Sequence, residues 1–322
     1  MKAAVLTSPG GIASRPLQIR DIPVPAPGPG QHLLRVRACG VCRTDLHIVE
    51  GELKPLRSPL IPGHQIVGEG ADGRRVGVTW MAGIDGTCAY CRRGEENLCD
   101  SPAFTGYTVD GGYAEYAVVR SDFAIPLPSG LEDREIAPLL CAGVIGFRSL
   151  RVAGVQRGER VGLFGFGASA HLALPVLRAW GCHISVSTRG AAHRRLAESL
   201  GADWVGSEVD RPPASLDRAI TFAPSGDVVI AALSSLRKGG VVAINAIHLD
   251  RIPEFDYDSL LWGERQIRSV TNVTRADARD FLQLASEIGF RPQVTTFRLD
   301  QANEALLALK NDAINGAAVI IP

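Results

Sequence analysis

The sequence carries no surplus of either charge. Lys and Arg together number 34, as do Asp and Glu, so there is no basic field to hold nucleic acid or an anionic membrane surface, and nucleic-acid binding is not expected. A long uncharged apolar run is also missing. The longest, Val161 to Leu177, is broken by glycines and Pro175 and falls short of the about 20 residues a membrane-spanning helix needs. The opening Met1-Lys-Ala-Ala-Val-Leu-Thr7 has strand character and no signal-peptide layout. Internal repeats and low-complexity tracts are absent. A disulfide framework is not expected either, because the seven cysteines are an odd number clustered as C-x-x-C pairs, a pattern of metal sites in a reducing compartment. Together these absences point to a cytoplasmic protein that does not enter a membrane.

What is present supports two domains. The chain of 322 residues is 46% apolar, longer than one ordinary domain and rich enough in apolar residues for two cores. From Met1 to about Leu140, short alternating runs such as Leu33–Arg37, Arg75–Thr79 and Tyr113–Val119 lie between Gly/Pro turns and read as strands. Ile22 to Gly30, with its four prolines, reads as an extended connector, since proline has no N–H to give a ladder. From about Gly143 strands and helices alternate. Strands are expected at Arg160–Phe164, His183–Ser187, Arg218–Phe222, Gly240–Ile244 and Ile267–Val270. Helices are expected at Ala168–Trp180, His193–Leu200 and Asp227–Leu236. That alternation predicts a doubly wound parallel sheet. A helix at Ala276–Ile288, a strand at Gln293–Phe297, a helix at Gln301–Lys310 and a strand at Gly316–Ile321 should follow, the last returning to the first domain's sheet. The expected division is residues 1–142 with 272–322, and 143–271. Pro175 should kink its helix.

Three constellations carry chemistry. Cys39 to His47 (CGVCRTDLH), answered by Pro62-Gly-His64, gathers a thiolate, a carboxylate and imidazoles that are costly to bury without partners. A divalent metal gives Cys42 and His64 a reason to converge. Cys141 lies in the apolar Pro138–Gly143 segment; alone it reads as a core residue, but with Cys42 and His64 it completes the two-thiolate, one-imidazole set of a catalytic zinc with an open fourth position. The second constellation, Cys88-x-x-Cys91 with Cys99, offers three thiolates where a closed structural zinc needs four ligands. One C-x-x-C step earlier stands Asp85, whose oxygen is an acceptable ligand. A metal-free loop is the alternative. The third is Gly165-Phe-Gly167-Ala168-Ser-Ala170, a GxGxxA turn between a strand and a helix that suits a dinucleotide pyrophosphate. The next strand ends in Ser187-Thr188-Arg189 instead of a carboxylate, which suits a 2′-phosphate and favours NADP over NAD; a solvated loop arginine is the alternative. Phe222, closing a later strand, joins these cofactor-binding candidates. Cys39 and Cys182 read as small buried residues, and His32, His171, His183 and His193 have no partner visible in sequence. His248 follows a strand and is a weaker candidate for the nicotinamide end of the site.

The motifs CGVCRTDLH, PLIPGH, C-x-x-C-x7-C, GGYAEYAV, PLLCAGV, GFGASAHLA and NGAAVI together resemble, end to end, the zinc-containing alcohol dehydrogenases of the medium-chain dehydrogenase/reductase superfamily, of the bacterial propanol-preferring kind. The resemblance implies a GroES-like β-rich catalytic domain whose zinc site faces a Rossmann domain across a cleft. It also implies reversible hydride transfer between a small alcohol or aldehyde and NAD(P), and a homodimer or homotetramer. Cys42, His64 and Cys141 match the catalytic zinc ligands. Asp45 matches the carboxylate that orients the ligand histidine, Thr44 and His47 the proton relay, Arg43 a pyrophosphate contact, and Trp80 a substrate-pocket aromatic beside Thr44 and His64. Three departures stand out: Gln65 where relatives carry Glu, Asp85 where they carry cysteine, and a shortened loop between Gly68 and Arg75. A zinc-independent quinone or enoyl reductase, or a nucleotide-binding sensor that has lost catalysis, are the competing readings; the first leaves Cys42, His64 and Cys141 without a joint purpose.

Overall fold

The computed structural model describes every residue except Val209 and Asn315, so Asn315 of the NGAAVI motif lies outside the described residues. The chain separates into two units, Met1–Val144 with Asn272–Pro322, and Ile145–Thr271.

The first unit is built on a seven-stranded sheet centred on the long strand Gln31–Val41. That strand pairs antiparallel with Gln65–Glu69 and Tyr116–Arg120 and with the C-terminal strand Ala317–Ile321. The segment Asn272–Pro322 thus returns to complete the N-terminal sheet. Inward residues of these strands (Leu34, Val36, Ile66, Val78, Ile320) share one apolar core with Tyr113, which is fully buried. The proline-rich stretch after Asp21 carries no ladder. Gln65–Glu69 and Arg75–Val78 form a tight hairpin, closed by Gly73 at φ +76 and by the Gly70 N–H to Arg74 O bond of 3.0 Å.

The second unit holds six parallel strands in spatial order Trp204–Gly206, His183–Ser187, Arg160–Phe164, Leu216–Thr221, Leu236–Ile244 and Gln266–Ser269. Numbered along the chain this is 3-2-1-4-5-6, the order of a dinucleotide-binding doubly wound sheet. The strands are apolar because both faces are covered: Val161, Leu163, Ile184, Val186, Ala219 and Val242 are buried. The order reverses between Arg160–Phe164 and Leu216–Thr221, and ligands of such sheets bind at the carboxyl ends beside that switch point. The helix Ala168–Ala179 is assigned straight through Pro175.

Two helices of eight or more residues escape sequence reading. Arg43–Glu50 forms directly after the central strand, with Cys42 as its N-cap and Gly51, at φ +82, as its left-handed stop. Ala142–Ala153 starts where an apolar segment gives no strong helical period. No single helix among the described residues is long and apolar enough to cross a membrane.

Candidate metal centre and nucleotide-binding turn

Asp45 organises the first site. It is completely buried, and its carboxylate accepts four hydrogen bonds. The Cys42 N–H (2.9 Å) and the Tyr113 hydroxyl (3.2 Å) reach Oδ2, while the Gly63 N–H (3.2 Å) and His64 Nδ1 (2.8 Å) reach Oδ1. As a third-position helix residue it caps the first turn of Arg43–Glu50 through the Cys42 N–H. Because the carboxylate can only accept, His64 Nδ1 carries a proton, and Nε2 is the ring atom left to face a metal. That Nε2 is buried and has no partner among the described residues.

One ligand atom from each of Cys42, His64 and Cys141 lies within 4.8 Å of the other two. Cys42 leads into a helix, His64 ends a loop after Gly63 at φ +97, and Cys141 ends the short Ala137–Leu140 turn. Three segments remote in sequence converge. The Cys141 thiol, donating a hydrogen bond to Cys42, holds the Cys42 sulfur well below the ordinary thiol range; burial opposes this and His64 adds to it. The same bond, with burial and the charges of Cys42 and Asp45, pushes Cys141 up. Burial lowers His64, but the Asp45 carboxylate and then Cys42 outweigh it and raise His64 to about 10. The donor set fits a divalent ion: two sulfurs, an oriented imidazole whose buried Nε2 has no partner among the described residues, and a buried carboxylate behind the imidazole.

The surrounding residues give this centre a wall. Thr44 is buried, and its Oγ1 lies 3.7 Å from Cys42 Sγ. The Trp80 ring meets His64 edge-on, with centroids 5.1 Å apart, and stacks on Phe104 at 4.8 Å and Tyr107 at 5.9 Å. Sequence reasoning missed Phe104 and Tyr107, since two aromatics 24 and 27 residues past Trp80 give no local signal. Tyr113 was missed for the same reason, 68 residues from Asp45. His47, in the last turn of its helix, bonds through Nδ1 to Glu52. Arg43 pairs with Asp312 at 2.5 Å. Gln65 is buried beside Gly40, and its carbonyl oxygen has no partner among the described residues.

Asp85, Cys88, Cys91 and Cys99 form a second group whose ligand atoms lie within 4.8 Å of one another. Asp85 Oδ1 accepts the Thr87 N–H (2.7 Å) and Cys88 N–H (2.9 Å). Those backbone donors hold its carboxyl far below the usual range. Burial and the neighbouring Cys88 and Cys99 push Cys91 up to about 12. The lobe is anchored by Arg275, whose guanidinium and backbone N–H bond Glu96 at 2.6–3.2 Å.

In the second unit, Gly165 takes φ +89, where an added Cβ would sit 3.0 Å from the Ala223 nitrogen. Gly167 caps the helix Ala168–Ala179 without a side-chain bond, and a Cβ there would meet nothing within 4 Å. The helix N-terminus is therefore open to an anion. Ala170 is fully buried, letting helix and strand approach. Ser187 Oγ, Thr221 Oγ1 and the Asn245 Nδ2 amide, all at the carboxyl ends of strands, are buried without partners among the described residues, as a ligand crevice at the switch point requires. Thr188 is buried and Phe222 half-buried, while the Arg189 side chain is 83% exposed with Glu208 3.9 Å away. His171 is buried, and burial pulls it down to about 4, so its imidazole is neutral. Cys39 and Cys182 are buried, and His248 is exposed.

Comparison with known proteins adds to this geometry. Residues 28–129 match the alcohol dehydrogenase GroES-like domain. The chain is 47% identical, over all of its length and 97% of the relative's, to the probable alcohol dehydrogenase AdhA of Mycobacterium tuberculosis. It is similar to the structure of acetophenone reductase from Geotrichum candidum in complex with NAD (TM-score 0.87, 26% identity, 100% of this chain and 97% of that one). It is also similar to a putative zinc-binding dehydrogenase from Sinorhizobium meliloti bound to NADP (TM-score 0.88, 26% identity, 100% and 99%). A GroES-like sheet carrying a thiolate–imidazole cluster, joined to a 3-2-1-4-5-6 sheet with a glycine turn, places this chain in the alcohol dehydrogenase family of the medium-chain dehydrogenase/reductase superfamily.

Proposed function

We propose that the protein is a zinc-dependent alcohol dehydrogenase that interconverts small primary or secondary alcohols and their carbonyl compounds with NAD(P). The observation that carries this reading is the convergence of Cys42, His64 and Cys141 ligand atoms within 4.8 Å, with His64 Nε2 buried and without a partner among the described residues. These three side chains would hold the ion, and Asp45 fixes the tautomer and ring direction of His64. When bound, zinc supplies Lewis acidity to the substrate oxygen and the nicotinamide takes or gives the hydride. Thr44 Oγ relays the substrate hydroxyl proton, accepting it at oxygen while its own O–H proton leaves toward the cofactor ribose and on to His47, the final acceptor. Trp80, backed by Phe104 and Tyr107, limits the substrate's width. Gly165, Gly167 and Ala168 receive the pyrophosphate, and Ser187, Thr188, Arg189 and Phe222 bind the adenosine end.

Because hydroxyls and a guanidinium stand where a carboxylate would select NAD, NADP is the preferred form. Asp85, Cys88, Cys91 and Cys99 would bind a second, structural zinc with no open position. We expect a cytoplasmic homodimer or homotetramer. The test is steady-state oxidation of a panel of short alcohols with each dinucleotide, beside Cys42→Ser. Turnover should vanish in the variant while dinucleotide binding persists. Full turnover by a zinc-free preparation contradicts the zinc role, and a preference for NAD above about tenfold contradicts the assignment of the 187–189 loop.

A further inference from the structure

The geometry points to Glu52 as a positioning residue for His47, a role that rests on the proton-relay reading given above. His47 lies in the last turn of the Arg43–Glu50 helix. Gly51 stops that helix at φ +82, and the chain reverses so that the Leu53 N–H returns to His47 O at 3.1 Å. This reversal brings the Glu52 carboxylate to His47, where Oε2 meets Nδ1. The other acid in this turn is committed elsewhere: Glu50 accepts the Ile12 N–H (2.8 Å) and Lys310 Nζ (2.7 and 2.9 Å). Glu52 is therefore the carboxylate given over to the imidazole.

A carboxylate that only accepts fixes His47 with its proton on Nδ1, which leaves Nε2 as the basic atom and limits ring rotation. A relay acceptor needs both properties before the proton arrives, as in other histidines oriented by an acid. The pairing repeats at the outer end of the relay what Asp45 does for His64 at its metal end. The sequence hides it, because an acid five residues past a histidine reads as a solvated helix end.

The experiment compares single-turnover alcohol oxidation, in the zinc-loaded enzyme with saturating dinucleotide, for wild type, Glu52→Ala, His47→Gln and the double variant. Nitrogen NMR shifts of the His47 ring in wild type and Glu52→Ala are read beside it. Glu52→Ala should slow turnover about tenfold, a part of what a positioned general base contributes, with dinucleotide affinity unchanged. The double variant should be no slower than His47→Gln alone. Wild-type His47 should show Nδ1 protonated, with a tautomer mixture in Glu52→Ala. Wild-type rate in Glu52→Ala while His47→Gln is slow, additive losses in the double variant, or a wild-type Nε2–H tautomer would each overturn the Glu52 role alone. A wild-type rate in His47→Gln would overturn the relay reading and this role with it.

Discussion

Replacing Asp45 with asparagine tests how the metal centre is held. Asparagine keeps the shape, but its single carbonyl oxygen can serve only one of the two donor pairs now bonded to the carboxylate. If that oxygen keeps His64 and Gly63, the amide NH₂ faces the Cys42 N–H and the Tyr113 hydroxyl. The hydroxyl can turn and accept; the N–H cannot. One charge-assisted bond is then lost and two donors oppose each other in a fully buried place, a cost of about 2–3 kcal/mol in stability. The weaker His64 acceptor should also lower zinc affinity at this centre by about 10- to 100-fold. Chelator competition at fixed pH reads the affinity, and denaturant unfolding of the loaded protein reads the stability. Tyr113→Phe removes one donor and leaves no buried group unpaired, so its affinity loss should be much the smaller. Zinc affinity in Asp45→Asn within about twofold of wild type would refute the argument that this carboxylate orients the ligand.

Other consequences follow from single contacts. Gly167→Val should leave unfolding stability unchanged, since a Cβ there meets nothing, yet weaken dinucleotide binding by about 1–3 kcal/mol through overpacking; titration calorimetry distinguishes the two. Arg275→Met takes the guanidinium from Glu96, which is 9% exposed, and leaves it the backbone N–H at position 275; the first unit should lose about 2–3 kcal/mol, measured by thermal or denaturant unfolding. His171, held at about 4 against an ordinary 6.5, favours folding fully above pH 6.5. That contribution is lost as pH falls toward 4, because the unfolded chain takes up the proton first. His171→Gln should therefore flatten the pH dependence of unfolding between those values by up to about 3 kcal/mol, and an unchanged slope would contradict the buried neutral imidazole.

The second unit was the more legible in sequence. Arg160–Phe164 and His183–Ser187 have the same limits in sequence and in the fold, because short runs carrying branched or aromatic apolar residues between glycine-marked turns and helical stretches read as strands. The three-residue strand Trp204–Gly206 was missed; its length gives no period. In the first unit the helix Arg43–Glu50 was hidden because its residues read as a row of functional groups. Residue types, taken as one ligand set, unite Cys42, His64 and Cys141 in the sequence. What spacing cannot supply are long-range partners: Tyr113 on Asp45, Phe104 and Tyr107 behind Trp80, and Arg275 on Glu96. Such pairs are created by strand register and loop packing, which no local window contains. Asp85 was reached by counting one C-x-x-C step back, and the fold gathers its carboxylate with the three sulfurs.

The central claim is that Cys42, His64 and Cys141 grip one zinc ion. The most direct measurement is zinc X-ray absorption on protein whose second site is disabled by Cys91→Ser and which carries one zinc per chain. Two sulfurs at about 2.3 Å and one imidazole nitrogen at about 2.0–2.1 Å are expected, with a light-atom ligand completing the shell. A shell without sulfur, or a chain that retains no zinc at this centre, would contradict it.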